Sequence, residues 1–417
     1  MRDILPPESA LWNYIEETAR EVFHSYAYQE IRTPLVEPTE LFARGVGTDT
    51  DIVTKEMYTW EDRDQSSLTL RPEATASVIR AYIEHRLDLR PGVKKFFYIG
   101  PMFRRERPQK GRYRQFYQIG TEAIGSESPT VDSEVIEMLV ELLAKLGISG
   151  YTLLLNSVGC KECRPRYLER LRQELATVRD QLCADCQRRS ETNPLRVLDC
   201  KVPEDQRIID RLPTIADSLC ENCKAHFATL QGHLRNREIP FQFVPRMVRG
   251  LDYYTRTTFE FVHGSLGAQN SLLGGGRYDG LSEDLGGPPA PGIGFSIGED
   301  RLVLALEQAA AASADVPAAG LPLYIAWIGE KAYQHAAELA RTLRALGVTV
   351  EVAADAVKLK KSLEIASKLP ASYALIIGDR ELTEGRYSLR EMGSGTQRTV
   401  TREELVELLT KHAATPR

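Results

Sequence analysis

Six cations, Arg104, Arg105, Arg107, Lys110, Arg112 and Arg114, crowd one short turn, and the chain then returns through Gln118 and Glu122. Cations at a hairpin tip neutralise a group with several negative charges, and a carboxylate on the returning strand suits a small amine beside it. The chemistry is that of a polyphosphate and an amine held together. Nine bases (Arg90, Lys94, Lys95 and Arg104 to Arg114) face one acid, Glu106, in a chain whose formal charge is −5. A cationic loop inside an acidic protein is a local site rather than a general affinity for polyanions. A solvated hairpin tip is the plain alternative. Against it, Pro108, Gly111, Tyr113 and Phe116 interleave the bases, and aromatic rings among guanidinium groups can contact phosphate and stack on a base.

Other stretches could carry chemistry. Pro291-Gly-Ile-Gly-Phe-Ser-Ile-Gly-Glu-Asp-Arg301 is a glycine-spaced strand running into a helix. Its spacing matches neither a phosphate loop nor a dinucleotide fingerprint. Its glycines suit close packing or a ligand near the strand, and Arg301 at the helix start would suit nucleotide phosphate. Arg249-Gly-Leu-Asp-Tyr-Tyr-Thr-Arg256 and Gly274-Gly-Gly-Arg-Tyr-Asp-Gly280 read alone as strand aromatics and a turn. Three Cys-x-x-Cys pairs, Cys160/Cys163, Cys183/Cys186 and Cys220/Cys223, leave Cys200 by itself. Two pairs make a tetrahedral zinc site, with Cys183, Cys186, Cys220 and Cys223 the first choice. Inert reduced thiols are the equal alternative.

The elements that must position these residues fall into two patterns. A helix over about residues 8–26 leads to an extended Ile31–Pro38, where each proline pushes its predecessor out of the helical region. Short strands follow at 57–60, 68–71, 95–99, 114–119, 151–156, 257–262 and 272–274, interrupted by helices at 73–85 and 133–146. Runs of neighbouring strands predict an α+β domain with a mainly antiparallel sheet over residues 1–307. A polar helical insertion at about 164–238 sits within it. The alanine-rich stretch 308–320 reads as a linker. Beyond it, strands and helices alternate through 321–417 and predict a small α/β domain with a mostly parallel sheet.

With 417 residues, 42% hydrophobic and 27% charged, the chain has room for two or three domains. No apolar run reaches membrane-spanning length, and the start lacks the apolar region of a signal peptide. Seven cysteines without such a signal predict a reduced, cytoplasmic protein. The acidic balance excludes a nucleosome- or ribosome-like footprint but not a nucleic acid docked on limited basic surfaces.

Together the segments resemble a known family. Arg32–Pro38, Phe103–Glu122 and Gly292–Arg301 are similar to motifs 1, 2 and 3 of class II aminoacyl-tRNA synthetases, and Arg249–Tyr254 and Gly274–Gly280 to two signatures particular to the bacterial-type histidine enzymes. The resemblance covers essentially the whole chain, including a C-terminal anticodon-binding-like domain. It implies a class II catalytic fold, a homodimer with motif 1 at its interface, and ATP-dependent histidine activation, with Mg²⁺, followed by transfer to histidine tRNA.

Residue by residue, the resemblance puts Arg104 and Arg249 on the α-phosphate as the catalytic pair. Glu106, Arg112 and Arg301 fall with the rest of ATP, and Phe116 under its adenine. Glu73, Ala74, Thr75 and Gln118 match positions near the histidine amine, and Glu122, Tyr253 and Tyr254 match the readers of the imidazole. Arg107 and Gln109 are candidates for the tRNA acceptor end. Ala74 stands where glycine is common. In the family a few residues usually precede Arg2-Asp3, among them a Gly-Thr pair near the active site, and this sequence starts inside that segment. The alternative is a synthetase-like subunit that binds histidine and regulates ATP phosphoribosyltransferase. Such proteins lose ATP-site residues and the anticodon module; here Arg104, Arg112, Arg249, Arg301 and residues 321–417 are present.

Overall fold

A computed structural model describes the chain apart from residues 48–49, 108–110, 249–250, 265–269, 313–320, 357–358, 370 and 414–417. It divides into two compact units, Met1–Ile4 with Leu11–Ala314, and Asp315–Arg417 with Leu5–Ala10. In the larger unit, α1 (Glu8–Ser25) buries Trp12, Ile15, Ala19 and Val22, the three-to-four spacing of one helix face. The chain continues through β1 (Gln29–Glu30), β2 (Val36–Pro38), α2 (Thr39–Val46), β3 (Tyr58–Glu61), β4 (Ser67–Leu70) and α3 (Thr75–Glu84). A long hairpin, β5 (Lys94–Phe103) and β6 (Gln115–Ile124), carries the arginine loop at its tip, and α4 (Pro129–Lys145) follows. The Ser128 side chain caps α4 by accepting from the Thr130 amide, with Pro129 at the first turn.

After β7 (Tyr151–Ser157) the chain leaves the sheet for four helices, α5 (Cys163–Val178), α6 (Ala184–Thr192), α7 (Pro203–Ile209) and α8 (Glu221–Asn236). It returns through β8 (Gln242–Phe243), β9 (Thr255–His263), β10 (Ser271–Arg277), α9 (Leu281–Asp284), β11 (Gly292–Gly298) and α10 (Glu299–Ala312). The eight-stranded sheet runs β1-β5-β6-β11-β10-β9-β7-β8. It is antiparallel except at its two edge pairs. Helix α10 continues through Ala309–Ala312, so the alanine run expected to begin the linker at 308 is helical, in keeping with alanine's high helix propensity.

The two faces of this sheet differ in kind. One carries Phe97, Ile119, Ala123, Ile293, Phe295 and Ile297 under α1, α4, α8 and α10. On the other, Tyr98, Met102 and Ile124 pack with α3 and α9. Because side chains alternate along a strand, β6 sends Phe116, Gln118 and Glu122 to this second face. There β11 presents Gly294 and Gly298 opposite Glu122 and Gln118. An apolar residue alternating with glycine thus marks a strand covered by helices on one side and by something small on the other.

The smaller unit is built from β12 (Leu321–Trp327), α11 (Glu330–Ala345), β13 (Val350–Val352), α12 (Leu359–Lys368), β14 (Ala371–Ile377), α13 (Asp379–Glu384), β15 (Tyr387–Glu391), β16 (Gln397–Val400) and α14 (Arg402–Ala413). Its sheet, β13-β12-β14-β15-β16, is mixed rather than mostly parallel. The first three strands are parallel, but β15 and β16 close the edge as an antiparallel hairpin. These strands are short and polar on one face, with only Tyr387, Leu389 and Val400 buried, so they lack the apolar run of a strand covered on both sides.

Candidate active site

The pocket is built on the second sheet face, where α3 begins. The Glu73 carboxylate accepts from the amides of Thr75 at 2.8 Å and Ala76 at 2.9 Å, satisfying two N–H groups that a helix start leaves open. Ala74, fully buried, sits at φ −114°, a conformation any residue adopts. The Thr75 hydroxyl donates to Glu122 Oε1 at 2.7 Å, which ties the helix start to strand β6. Glu122 is 1% exposed, and burial lifts its pKa to about 8, with Tyr278 and Thr75 offsetting only part of that. Burial also raises Glu73 above the ordinary carboxylate range, against the amides that hold it.

Three tyrosines close around these carboxyls. Tyr253 packs on Tyr254 at 4.9 Å between ring centroids and on Tyr278 at 6.1 Å. The sheet makes room for the rings and carboxyls with glycines. A Cβ on Gly294 would stand 1.9 Å from Glu122 Oε2, and one on Gly276 would meet the Tyr254 ring at 2.9 Å. Among the described residues, Gln118 Oε1 is buried with no hydrogen-bond partner, and the Tyr278 hydroxyl and Glu122 Oε2 have only each other. Buried polar groups in native proteins are nearly always fully paired, so these under-satisfied groups suit a polar ligand.

At the mouth of the pocket stands the arginine loop. Arg104 Nε donates to the Pro72 carbonyl at 2.9 Å, one residue before Glu73, while its guanidinium lies 5.3 Å from the Phe116 ring centroid. Its amide donates to the Arg114 carbonyl and closes the hairpin. Glu106 accepts from Arg112 at 3.0 Å and lies 3.7 Å from Arg104. Burial and then the Glu106 charge raise Glu56 nearby. Arg301 donates to the Ser271 carbonyl, and a Cβ on Gly111 of the loop would lie 3.9 Å from its side chain. Arg107 is exposed on the loop. Arg249 and Gln109 lie outside the described residues.

Two site tyrosines escaped sequence reasoning. Tyr98 fills the space over Gly120, its partner in register, where a Cβ would meet its hydroxyl at 2.3 Å; glycine opposite tyrosine in a hairpin was the available signal. Tyr278 lay within the Gly274–Gly280 signature but was given no role. The cysteine pairing expected from spacing is overturned. Cys183 and Cys186 do not meet Cys220 and Cys223; they gather with Cys200 and Asp205, whereas Cys220 and Cys223 gather with Cys160 and Cys163. The starts of α5 and α8 lie side by side, and this brings the insertion's first and last pairs together.

Comparison with known proteins agrees with the site. The histidyl-tRNA synthetase family profile matches residues 1–302 and the anticodon-binding domain profile residues 323–412. The chain is 63% identical to a histidine–tRNA ligase of Solibacter usitatus, covering 98% of this chain and 97% of that one. It is 56% identical to one of Koribacter versatilis, covering 99% and 95%. The crystal structure of apo Staphylococcus aureus histidyl-tRNA synthetase superimposes with a TM-score of 0.80 at 38% identity, covering 98% of each chain. With two profiles and full-length relatives in agreement, this chain belongs to the histidyl-tRNA synthetase family.

Proposed function

We propose that this chain is a working histidine–tRNA ligase whose two half-reactions meet between Glu73 and Arg104. The histidine carboxylate attacks the α-phosphorus of ATP, pyrophosphate leaves, and a terminal ribose hydroxyl of the tRNA then displaces AMP from the histidyl carbonyl. The first step drives one anion against another, so fixed positive charge at the phosphate is the main requirement. Arg104 supplies it from one side and Arg249 from the other. Arg112 and Arg301 take the outer phosphates and Phe116 the adenine. Glu106 meets the Mg²⁺ carried on the phosphates, an ion that usually binds through one or two carboxylates plus phosphate. Glu73, Thr75 and Gln118 hold the amine, and Glu122, Tyr253 and Tyr254 read the imidazole.

The observation that carries this reading is the Arg104 hydrogen bond to Pro72. It sets the phosphate-binding guanidinium one residue from the carboxylate for the amine, so a bound amino acid has its own carboxylate beside the phosphate. Arg107 and Gln109 are the candidates for contact with the acceptor end, where the family reads an extra 5′ guanosine. A homodimer through the motif 1 region is supported by Leu35, Val36 and Trp60, which stay exposed on and beside the β2-β4-β3 sheet. Among the described residues no helix is long and apolar enough to cross a membrane.

The test is ATP–pyrophosphate exchange. Exchange is expected only with histidine present, and Arg104→Ala should lower it by about 10²–10³-fold, the usual cost of losing one such charge stabiliser. Histidine binding without exchange by the unaltered protein would mean a regulatory subunit instead.

A further inference from the structure

We infer that the helical insertion holds two separate structural metal ions, one in a Cys160/Cys163/Cys220/Cys223 site and one in a Cys183/Cys186/Cys200/Asp205 site. All seven cysteines of the chain are used, and within each group the ligand atoms lie within 4.8 Å of one another. The Cys160 sulfur is 3.6 Å from that of Cys163 and 3.9 Å from that of Cys220, and Cys183 to Cys200 is also 3.9 Å. A tetrahedral Zn²⁺ with Zn–S bonds of about 2.3 Å requires edges of ~3.8 Å. A disulfide needs about 2.05 Å, so these sulfurs are spaced to share an ion rather than a bond.

Backbone amides donate to the sulfurs, as they do to thiolates. The Cys220 amide donates to Cys163 Sγ at 3.0 Å, and the Val202 amide to Cys200 Sγ at 3.4 Å. Asp205 is the most telling ligand. It is 1% exposed, its carboxylate takes the Cys183 amide at 3.0 Å, and Cys200 Sγ lies 3.3 Å away. Among the described residues no lysine, arginine or histidine makes an ion pair with it. Its charge is met here by the Cys183 amide and the Cys200 thiol, and a divalent ion would take the place of the thiol protons around it.

Both sites are built into the core of the insertion. Cys163, Cys186, Cys200 and Cys223 are buried in its apolar core beside Tyr167, Leu171, Leu175 and Ile209. The Cys160/Cys163 site also reaches the active site, because Arg164 donates to the backbone carbonyls of Asp252 at 3.0 Å and Tyr254 at 3.3 Å. Soft thiolates select Zn²⁺ over Mg²⁺ or Ca²⁺ at both positions.

The experiment is metal analysis of the full-length protein purified under reductant and without chelator. Two equivalents of zinc per chain are expected, falling to one in Cys223→Ser and to one in Asp205→Ala or Cys200→Ser. Should a variant fail to fold, an organomercurial titration of the unaltered protein should release both equivalents into a chromogenic zinc indicator. Cobalt exchange should produce intense thiolate charge-transfer absorption, stronger per ion when only the four-cysteine site is filled. One equivalent or less in the unaltered protein, disulfides found by alkylation and mass spectrometry, or loss of both ions from a single-site variant would each overturn the assignment.

Discussion

Two buried polar clusters occupy opposite faces of the same sheet, and they differ in whether the protein completes them. Under the helices, Arg277 uses all five of its N–H groups. They go to Asp132 at 2.8 Å, Asp279 at 2.9 Å and the carbonyls of Ser126 and Ser128. Asp132 also accepts from Thr257 at 2.6 Å. His226, 3.5 Å from Asp132, stays neutral at pH 7, its pKa pushed down to about 4 by burial and then by Arg277. On the other face, among the described residues, Gln118 Oε1 has no partner and the Tyr278 hydroxyl and Glu122 Oε2 have only each other. The Arg277–Asp132 pair is complete within the protein, although His226 Nε2 beside it has no hydrogen-bond partner among the described residues. On the other face it is a carboxyl and an amide that are left short of donors, which suits a substrate. The adjacent residues Arg277 and Tyr278 belong to one cluster each, so the Gly274–Gly280 signature serves both structure and recognition.

If that contrast holds, the two clusters fail differently when cut. Asp132→Ala leaves the Arg277 guanidinium buried and unpaired, and breaking such a pair costs about 3–5 kcal/mol of stability. Urea unfolding should register the full loss, while the KM for histidine of the folded enzyme stays within about twofold of the unaltered protein, well under 1.4 kcal/mol. A large KM change would mean the network is part of the site. Glu122→Gln is the converse. The amide fits where the carboxyl sat but cannot give up a proton to become a charged acceptor when the imidazole binds. Losing a hydrogen bond to a charged group costs about 1.5–3 kcal/mol, so KM for histidine should rise roughly tenfold to a hundredfold. Unfolding stability should not fall, because the amide escapes the cost of burying a carboxyl whose pKa is raised to about 8. An unchanged KM would remove Glu122 from histidine recognition.

The sheet and its site were legible for one reason and the insertion opaque for another. Strand register is local information. Once β5 and β6 form a hairpin, alternation puts Phe116, Gln118 and Glu122 on one face and glycines opposite them, so linear motifs carry the site. Tyr98 was missed because its role depends on what faces it across the hairpin, at Gly120, rather than on its own neighbours. The cysteine pairing was missed for a longer-range reason. A Cys-x-x-Cys turn presents two ligands whatever its partner, and only the fold, which brings the start of α8 to the start of α5, decides which turns meet. Asp205 has no spacing signal at all. The β15–β16 hairpin escaped because two short strands with one polar face carry little hydrophobic pattern.

Glu299, at the start of α10, is the strongest challenge to the distinction between the two clusters. It is fully buried, both carboxylate oxygens lack a partner among the described residues, and yet it lies among the residues joining β11 to α10 rather than in the histidine pocket. A neutral carboxyl resolves the conflict. Burial, reinforced by the charges of Glu16 and Asp300, lifts its pKa to about 9, so at pH 7 it holds its proton and leaves no unpaired charge. In the unfolded chain the same group ionises near 4.5. Between these values the folded state binds the extra proton, so stability is fully present below about pH 4.5 and is lost as pH rises toward 9. Glu299→Gln cannot ionise in either state and escapes that loss. Its stability relative to the unaltered protein should therefore climb between pH 5 and pH 8, by at least about 1.4 kcal/mol, the equivalent of one pKa unit. Paired urea titrations at the two pH values measure the climb. A difference that stays flat would mean Glu299 is ionised in the folded protein, and a buried charge of that kind would have to be met by a cation, returning the residue to the class of sites that await a partner.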